Sequence, residues 1–122
     1  MRENIIVDKS EDFAVRIVKL YKLLQMERKE FIMSKQLIRC GTSIGANIAE
    51  AQEAQSDTDF IAKLYISLKE CSETRYWLKL LCRTEYLSKN EYSSIQNDAS
   101  ELNALLVSII KSKKQNIGKA KN

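Results

Sequence analysis

The chain has 122 residues, of which 44% are hydrophobic and 30% charged; its net charge is +4 and it contains no histidine. This length and composition suit one folded domain and exclude an intrinsically disordered chain. Proline is absent and glycine occurs three times, which favours long helices over a β protein with many turns. The mild basicity permits contact with nucleic acid or anionic lipid without requiring it.

The first two helices are predicted from serine caps followed by apolar residues at helical spacing. Ser10 is expected to cap the first helix, which leaves residues 1–9 as an N-terminal arm. Ser34 is expected to cap the second helix. The apolar stripes that identify the two helices are Phe13, Ile17, Leu20 and Leu24, then Leu37, Gly41, Ile44 and Ile48.

Two further helices are predicted from capping patterns. Ser56 with Asp59 and Ser88 with Glu91 each have the spacing of a capping box. The short connections predict an all-α, antiparallel, up-down-up-down four-helix bundle as a single domain over residues 1–122, with a basic tail at 111–122. The predicted buried seams are Ile61, Leu64, Leu68, Cys71, Arg75, Leu78 and Cys82, then Tyr92, Ile95, Ala99, Leu102, Leu106 and Ile109.

The second helix contains the stretch CGTSIGANIAEA, which is rich in small residues. Gly41, Gly45 and Ala49 are four residues apart, so they are predicted to form a groove that a neighbouring helix approaches closely. The alternative is a phosphate-binding loop, but the stretch lacks the following Lys-Ser/Thr and a preceding strand.

Two sets of outward-facing residues predict a self-association surface. Polar residues with short side chains on the second helix suggest that this face of the helix is covered. The alternative is a small polar patch exposed to water. The apolar set on the third helix lies opposite its predicted seam, and the alternative is that Trp77 folds over the bundle end. The two sets are Arg39, Ser43, Asn47 and Glu50, then Ile66, Trp77 and Leu81. Arg75, inside the predicted seam, is expected to pair with Glu50.

The stretches SIGANIAEA and ETRYWLKLL resemble bacterial four-helix-bundle proteins of the 23S rRNA intervening-sequence type. The resemblance runs from about Phe13 to Lys113, with Ala51 standing where many relatives have glycine. It implies a ring-like homopentamer without an established enzymatic activity. It also implies a relation to accessory proteins of diversity-generating retroelements, which work with a reverse transcriptase and contact nucleic acid.

Several chemistries are excluded by the lack of histidine. Di-iron bundles need Glu-x-x-His pairs, and serine or cysteine nucleophiles paired with histidine need an imidazole base. Cys40, Cys71 and Cys82 lack zinc-site spacing. No metal, cofactor or catalysis is therefore expected.

The cysteines and the apolar runs predict the location of the protein in the cell. An odd number of cysteines without a C-x-x-C pair favours a reducing, cytoplasmic location. No apolar run approaches the length of a membrane span, so no membrane partner is expected.

Basic residues supply the candidate binding surface. The sequence predicts a non-catalytic oligomer that binds structured RNA or other nucleic acid through phosphate contacts. One alternative is a protein–protein adaptor, for example a partner of a reverse transcriptase; another is that these charges only keep the surface and tail soluble. The candidate residues are Arg16, Lys19, Lys22, Arg28 and Lys29, with Lys111, Lys113 and Lys114 in the tail.

Overall fold

The structure, a computed structural model, describes residues 2–121, with the side chains of residues 4–119. Within that range the regular structure is entirely helical, as the sequence predicts. The four helices are α1 (Arg2–Met26), α2 (Met33–Ala51), α3 (Asp57–Arg83) and α4 (Lys89–Lys121). Met1 and Asn122, at the ends of the predicted arm and tail, lie outside the described residues.

Each helix packs against two others, so that α1, α2, α3 and α4 form a closed set of contacts. Where α1 packs against α2, residue numbers rise along one helix while they fall along the other. Gly41 lies against Ile17 and Gly45 against Ser10. The apolar core between the helices includes Phe13, Ile17, Leu24, Leu37, Ile44, Ile48, Leu64, Leu78, Leu81, Leu102 and Leu106, each at most 2% exposed.

The predicted starts of α1 and α2 are wrong, and the two later caps are confirmed. α1 begins at Arg2, so the predicted arm is helical from residue 2, and Ser10 is buried inside the helix with its hydroxyl donating to the carbonyl of Val7. Ser34 lies inside α2, one residue after its first residue. Ser56 accepts a hydrogen bond from the Asp59 N–H, and the backbone N–H of Glu91 donates to the Ser88 hydroxyl.

The buried stripe of α3 differs from the predicted seam. Ser67, Thr74 and Leu81 are buried, whereas Leu68, Arg75 and Cys82 are only partly covered. The difference arises because helix carbonyls satisfy the two hydroxyls: Ser67 donates to Ile44 at 2.8 Å and Thr74 to Glu70 at 2.8 Å. Polar residues can therefore occupy the buried side, which a search for apolar spacing does not anticipate.

Close approach of α1 to α2 depends on the two glycines. A Cβ on Gly41 would lie 2.8 Å from Cγ2 of Ile17, and one on Gly45 would lie 3.2 Å from the carbonyl oxygen of Ser10. These distances agree with the close-packing explanation for CGTSIGANIAEA. Ala49, the third residue predicted for this groove, is exposed, so α1 does not cover it.

Candidate interaction surfaces

Two of the predicted nucleic-acid-binding arginines are engaged within the chain. Arg16 lies 2.6 Å from the Asp98 carboxylate and also donates to the Ser94 hydroxyl on α4. Arg28 donates two hydrogen bonds to Glu91, at 2.8 and 2.7 Å. Arg16 therefore connects α1 to α4, and Arg28 connects the segment after α1 to α4; both charges are matched before any ligand arrives.

Arg28 also fixes one end of the bundle. It donates to the backbone carbonyl of Tyr86 at 2.7 Å, which ties the end of α1 to the connection between α3 and α4. The hydrogen bonds from Arg28, together with that from the Ser88 N–H, lower the pKa of Glu91 to about 2. Glu91 consequently stays ionised over a wide range of pH, and Arg28 stays paired.

The lysines predicted nearby are different, because they are exposed and have no ion pair among the described residues. We call this end of the molecule, formed by residues 19–39 and 79–91, the basic end. It presents seven such cations and two exposed carboxylates, Glu27 and Glu85. The cations are Lys19, Lys22, Lys29, Lys35, Lys79, Arg83 and Lys89. The seven cations therefore exceed the two carboxylates by five charges at this end, which is more than the net charge of the whole chain, +4.

Four of these cations were missed by sequence reasoning. Lys35 lies 44 or more residues before Lys79, Arg83 and Lys89, and none of the four belongs to a basic run. The available signal was their position: each lies close to the helix end that faces a short connection. The α1–α2 and α3–α4 connections meet at one end of the molecule, where Arg28 donates to the Tyr86 carbonyl.

The predicted basic tail lies at the opposite end. Lys113 is 3.7 Å from Asp57 at the start of α3 and lies over the ring of Phe60, and Lys114 lies over the ring of Tyr65. Lys111 is exposed. α4 continues to Lys121, so the described part of the tail is helical. Along α3, Tyr65 in this cluster and Lys79 in the basic end are 14 residues apart, which is about 21 Å.

The polar residues predicted on the outer side of α2 hydrogen-bond mostly to their own helix. Ser43 donates to the Arg39 carbonyl at 2.7 Å, and Asn47 donates to the Ser43 carbonyl at 2.9 Å. Glu50 is 3.3 Å from Lys63, so the predicted pairing of Glu50 with Arg75 is wrong. The pairing fails because Glu50 faces the beginning of α3, whereas Arg75 lies near its end.

The neighbouring side of α3 carries an exposed apolar residue and a polar network. Ile66 is 43% exposed. Trp77 is half-buried, and its indole N–H donates to Glu73 at 3.0 Å, while Arg39 pairs with the same carboxylate. Leu81 is 0% exposed, so its assignment to an outer face is wrong: it belongs to the buried stripe of α3. We call the remaining set the α2–α3 outer face: Arg39, Ser43, Asn47, Glu50, Ile66 and Trp77.

The cysteines have the surroundings of packing residues. Cys40 and Cys71 are buried, and burial raises the pKa of the Cys71 thiol to about 11. A thiol with that pKa is almost wholly protonated at neutral pH and is a poor nucleophile.

Among the described residues, no three His, Cys, Asp or Glu side chains are grouped as metal ligands would be. Nor does any described helix combine the length and apolar character needed to cross a membrane.

Comparison with known proteins identifies the family. Residues 2–108 match the family model described as 23S rRNA-intervening sequence protein. A crystal structure of a protein with unknown function from the S23 ribosomal protein family of Bacteroides thetaiotaomicron VPI-5482 is 63% identical, with a TM-score of 0.90 over 91% of this chain and 99% of that one. No curated protein matches the chain. The chain therefore belongs to the 23S rRNA-intervening sequence protein family.

Proposed function

We propose that this protein is a non-catalytic, homo-oligomeric bundle that binds structured RNA through phosphate contacts. The observation that carries the proposal is the basic end, which has seven exposed cations without ion pairs among the described residues and only two exposed carboxylates. The family name refers to intervening sequences of 23S rRNA, which makes a structured RNA the first nucleic acid to test. Contacts of this kind position a phosphate backbone and do not read sequence.

The internal ion pairs determine which residues we assign to RNA. Lys19, Lys22 and Lys29 can approach phosphates without breaking a bond within the protein. Arg16 and Arg28 would first have to leave Asp98 and Glu91, which makes them poorer phosphate ligands. Lysine contacts release counterions from the RNA, so the affinity should fall steeply with added salt.

Replacing Lys22 and Lys29 together with glutamine should weaken RNA binding about tenfold near 0.1 M salt, because each exposed lysine releases counterions. The slope of log K against log salt should also become shallower by between one and two units. Binding of the purified protein to a structured RNA across a salt series measures both effects.

A matched control is the double variant Lys9→Gln and Lys63→Gln. It removes the same net charge, but these lysines are already paired with Glu101 and Glu50. Equal weakening by both double variants would contradict a binding site at the basic end. Absence of RNA binding by the unmodified protein at low salt would contradict the whole proposal and favour the protein–protein adaptor instead.

The oligomer is the second part of the proposal. We propose that the helices form an antiparallel up-down-up-down bundle and that five copies assemble through the α2–α3 outer face. The short side chains of Ser43 and Asn47 bond to their own helix, so another subunit can cover this face without leaving those groups unpaired. Ile66, exposed beside them, gives the face an apolar contact.

Replacing Ile66 with glutamate should dissociate the oligomer and leave the fold intact, because the side chain is 43% exposed and lies outside the core. Sedimentation velocity measures the mass in solution, and circular dichroism checks the fold. Val15→Glu is the matched control, since Val15 is 48% exposed on α1. If Ile66→Glu leaves the mass unchanged, or if Val15→Glu lowers it equally, this face is not the interface.

A further inference from the structure

Three large apolar side chains are exposed at the end of α1 and in the connection that follows it. Met26 is 70% exposed, Phe31 is 49% exposed and Ile32 is 78% exposed. Met33, the next residue, packs against the core. We call Met26, Phe31 and Ile32 the apolar tip. The core does not cover these side chains, and Phe31 and Ile32 are adjacent in the chain. Exposed apolar patches mark interaction sites.

The backbone of this connection is held in place. Glu30 is 6% exposed, and its carboxylate accepts hydrogen bonds from the backbone N–H groups of Ile32, Met33 and Ser34. The Glu30 N–H in turn donates to the carbonyl of Leu24. The N-terminus of α2 is therefore already occupied by a carboxylate, and the tip is a fixed protrusion at the end of two helices.

The surroundings of the tip are strongly positive. The tip belongs to the basic end defined above, which carries seven exposed cations without ion pairs among the described residues. Lys29 lies inside the connection itself, and Lys22 and Lys35 lie within one or two helical turns of it. The two exposed carboxylates at this end are Glu27 and Glu85.

We propose that the apolar tip and the surrounding cations dock this protein onto the surface of an anionic lipid bilayer. The tip would enter the boundary between headgroups and acyl chains, while the lysines would meet the lipid phosphates. The absence of a spanning run in the sequence does not bear on this, because surface docking needs only apolar side chains that reach the boundary region.

The chemistry of the tip favours lipid over other occupants. Two of its three side chains, Met26 and Ile32, are aliphatic, whereas unpaired bases stack on aromatic rings and guanidinium groups. Acyl chains place no demand on shape, and the positive charge around the tip complements anionic headgroups.

Binding to vesicles tests the proposal. The full-length protein should co-sediment with vesicles of phosphatidylglycerol and phosphatidylcholine and not with vesicles of phosphatidylcholine alone. The double variant Phe31→Ser and Ile32→Ser should bind the anionic vesicles about tenfold more weakly or worse, because it removes two of the three inserting side chains. Circular dichroism should show that this variant is folded, since both side chains are largely exposed.

A matched control removes two exposed apolar side chains elsewhere. Val15 and Val107 are 48% and 46% exposed, and their replacement by serine should leave vesicle binding unchanged. Failure of the unmodified protein to bind anionic vesicles would overturn the proposal, as would equal binding by the Phe31/Ile32 variant or equal loss in the Val15/Val107 control.

RNA binding by the same variants separates this proposal from the proposed function. The Phe31/Ile32 variant should bind RNA as the unmodified protein does. If the Phe31/Ile32 variant instead loses RNA affinity and keeps vesicle binding, the tip contacts nucleic acid and the lipid proposal is overturned. If the unmodified protein binds anionic vesicles but not RNA, the lipid proposal is supported and only the proposed RNA-binding function is refuted.

Discussion

Replacing Gly41 with alanine should destabilise the bundle by up to about 2 kcal/mol, although alanine is the better helix residue. A Cβ at this position would lie 2.8 Å from Cγ2 and 2.9 Å from Cγ1 of Ile17, which is 0% exposed. Both atoms are attached directly to the Ile17 Cβ, so they can move aside only if Ile17 leaves the χ1 rotamer that a β-branched residue prefers in a helix or if α1 shifts. Overpacking of this kind costs about 1–3 kcal/mol, and the helix preference of alanine recovers only about 1 kcal/mol.

Denaturant unfolding of two variants checks this prediction. Gly118→Ala is the control, because no heavy atom lies within 4 Å of a Cβ built there. That variant should be as stable as the unmodified protein or up to about 1 kcal/mol more stable. In a double-mutant cycle, Ile17→Ala should cancel most of the cost of Gly41→Ala. If Gly41→Ala and Gly118→Ala had the same effect, the close approach of α1 to α2 would not be what requires Gly41.

The fold was largely predictable because apolar spacing and capping patterns are local properties of the sequence. The errors came from buried polar residues. Ser10 and Ser34 resemble helix caps in the sequence, but both are buried and hydrogen-bond to carbonyl groups three or four residues earlier. The stripe of α3 was misplaced for the same reason, since Ser67 and Thr74 occupy buried positions.

The candidate site was less predictable because charges that are far apart in sequence pair in the structure. Arg16 and Lys19 look equivalent in a basic row, yet Arg16 pairs with Asp98 and Lys19 does not. The residues that complete the basic end, such as Arg83 and Lys89, have no shared pattern along the chain. Their grouping appears only when the ends of four helices are brought together.

Replacing Glu30 with alanine should cost about 2–3 kcal/mol of stability, because it leaves the first N–H groups of α2 without a partner. The carboxylate accepts from Ser34 at 2.6 Å and from Ile32 and Met33 at 3.1 Å each. Ile32, the residue that precedes α2, has an apolar side chain and cannot accept these hydrogen bonds in place of Glu30. Glu27→Ala is the matched control, since Glu27 is an exposed carboxylate three residues away, and it should change stability by less than about 0.5 kcal/mol.

The dependence of stability on pH distinguishes the charge of Glu30 from its packing. Burial opposes ionisation of Glu30, but the hydrogen bonds from Ser34, Met33 and Ile32 outweigh it, so its pKa lies below the ordinary value. A lowered folded pKa contributes stability that is present above the unfolded pKa, about 4.3, and is lost as pH falls through the folded pKa. The difference in unfolding free energy between the unmodified protein and Glu30→Gln should therefore be largest near neutral pH and shrink below about pH 4. A difference that stays constant from pH 7 to pH 3 would show that the ionised carboxylate is not what stabilises the start of α2. Glu91, whose pKa is about 2, remains in both proteins, so both should still lose stability in acid.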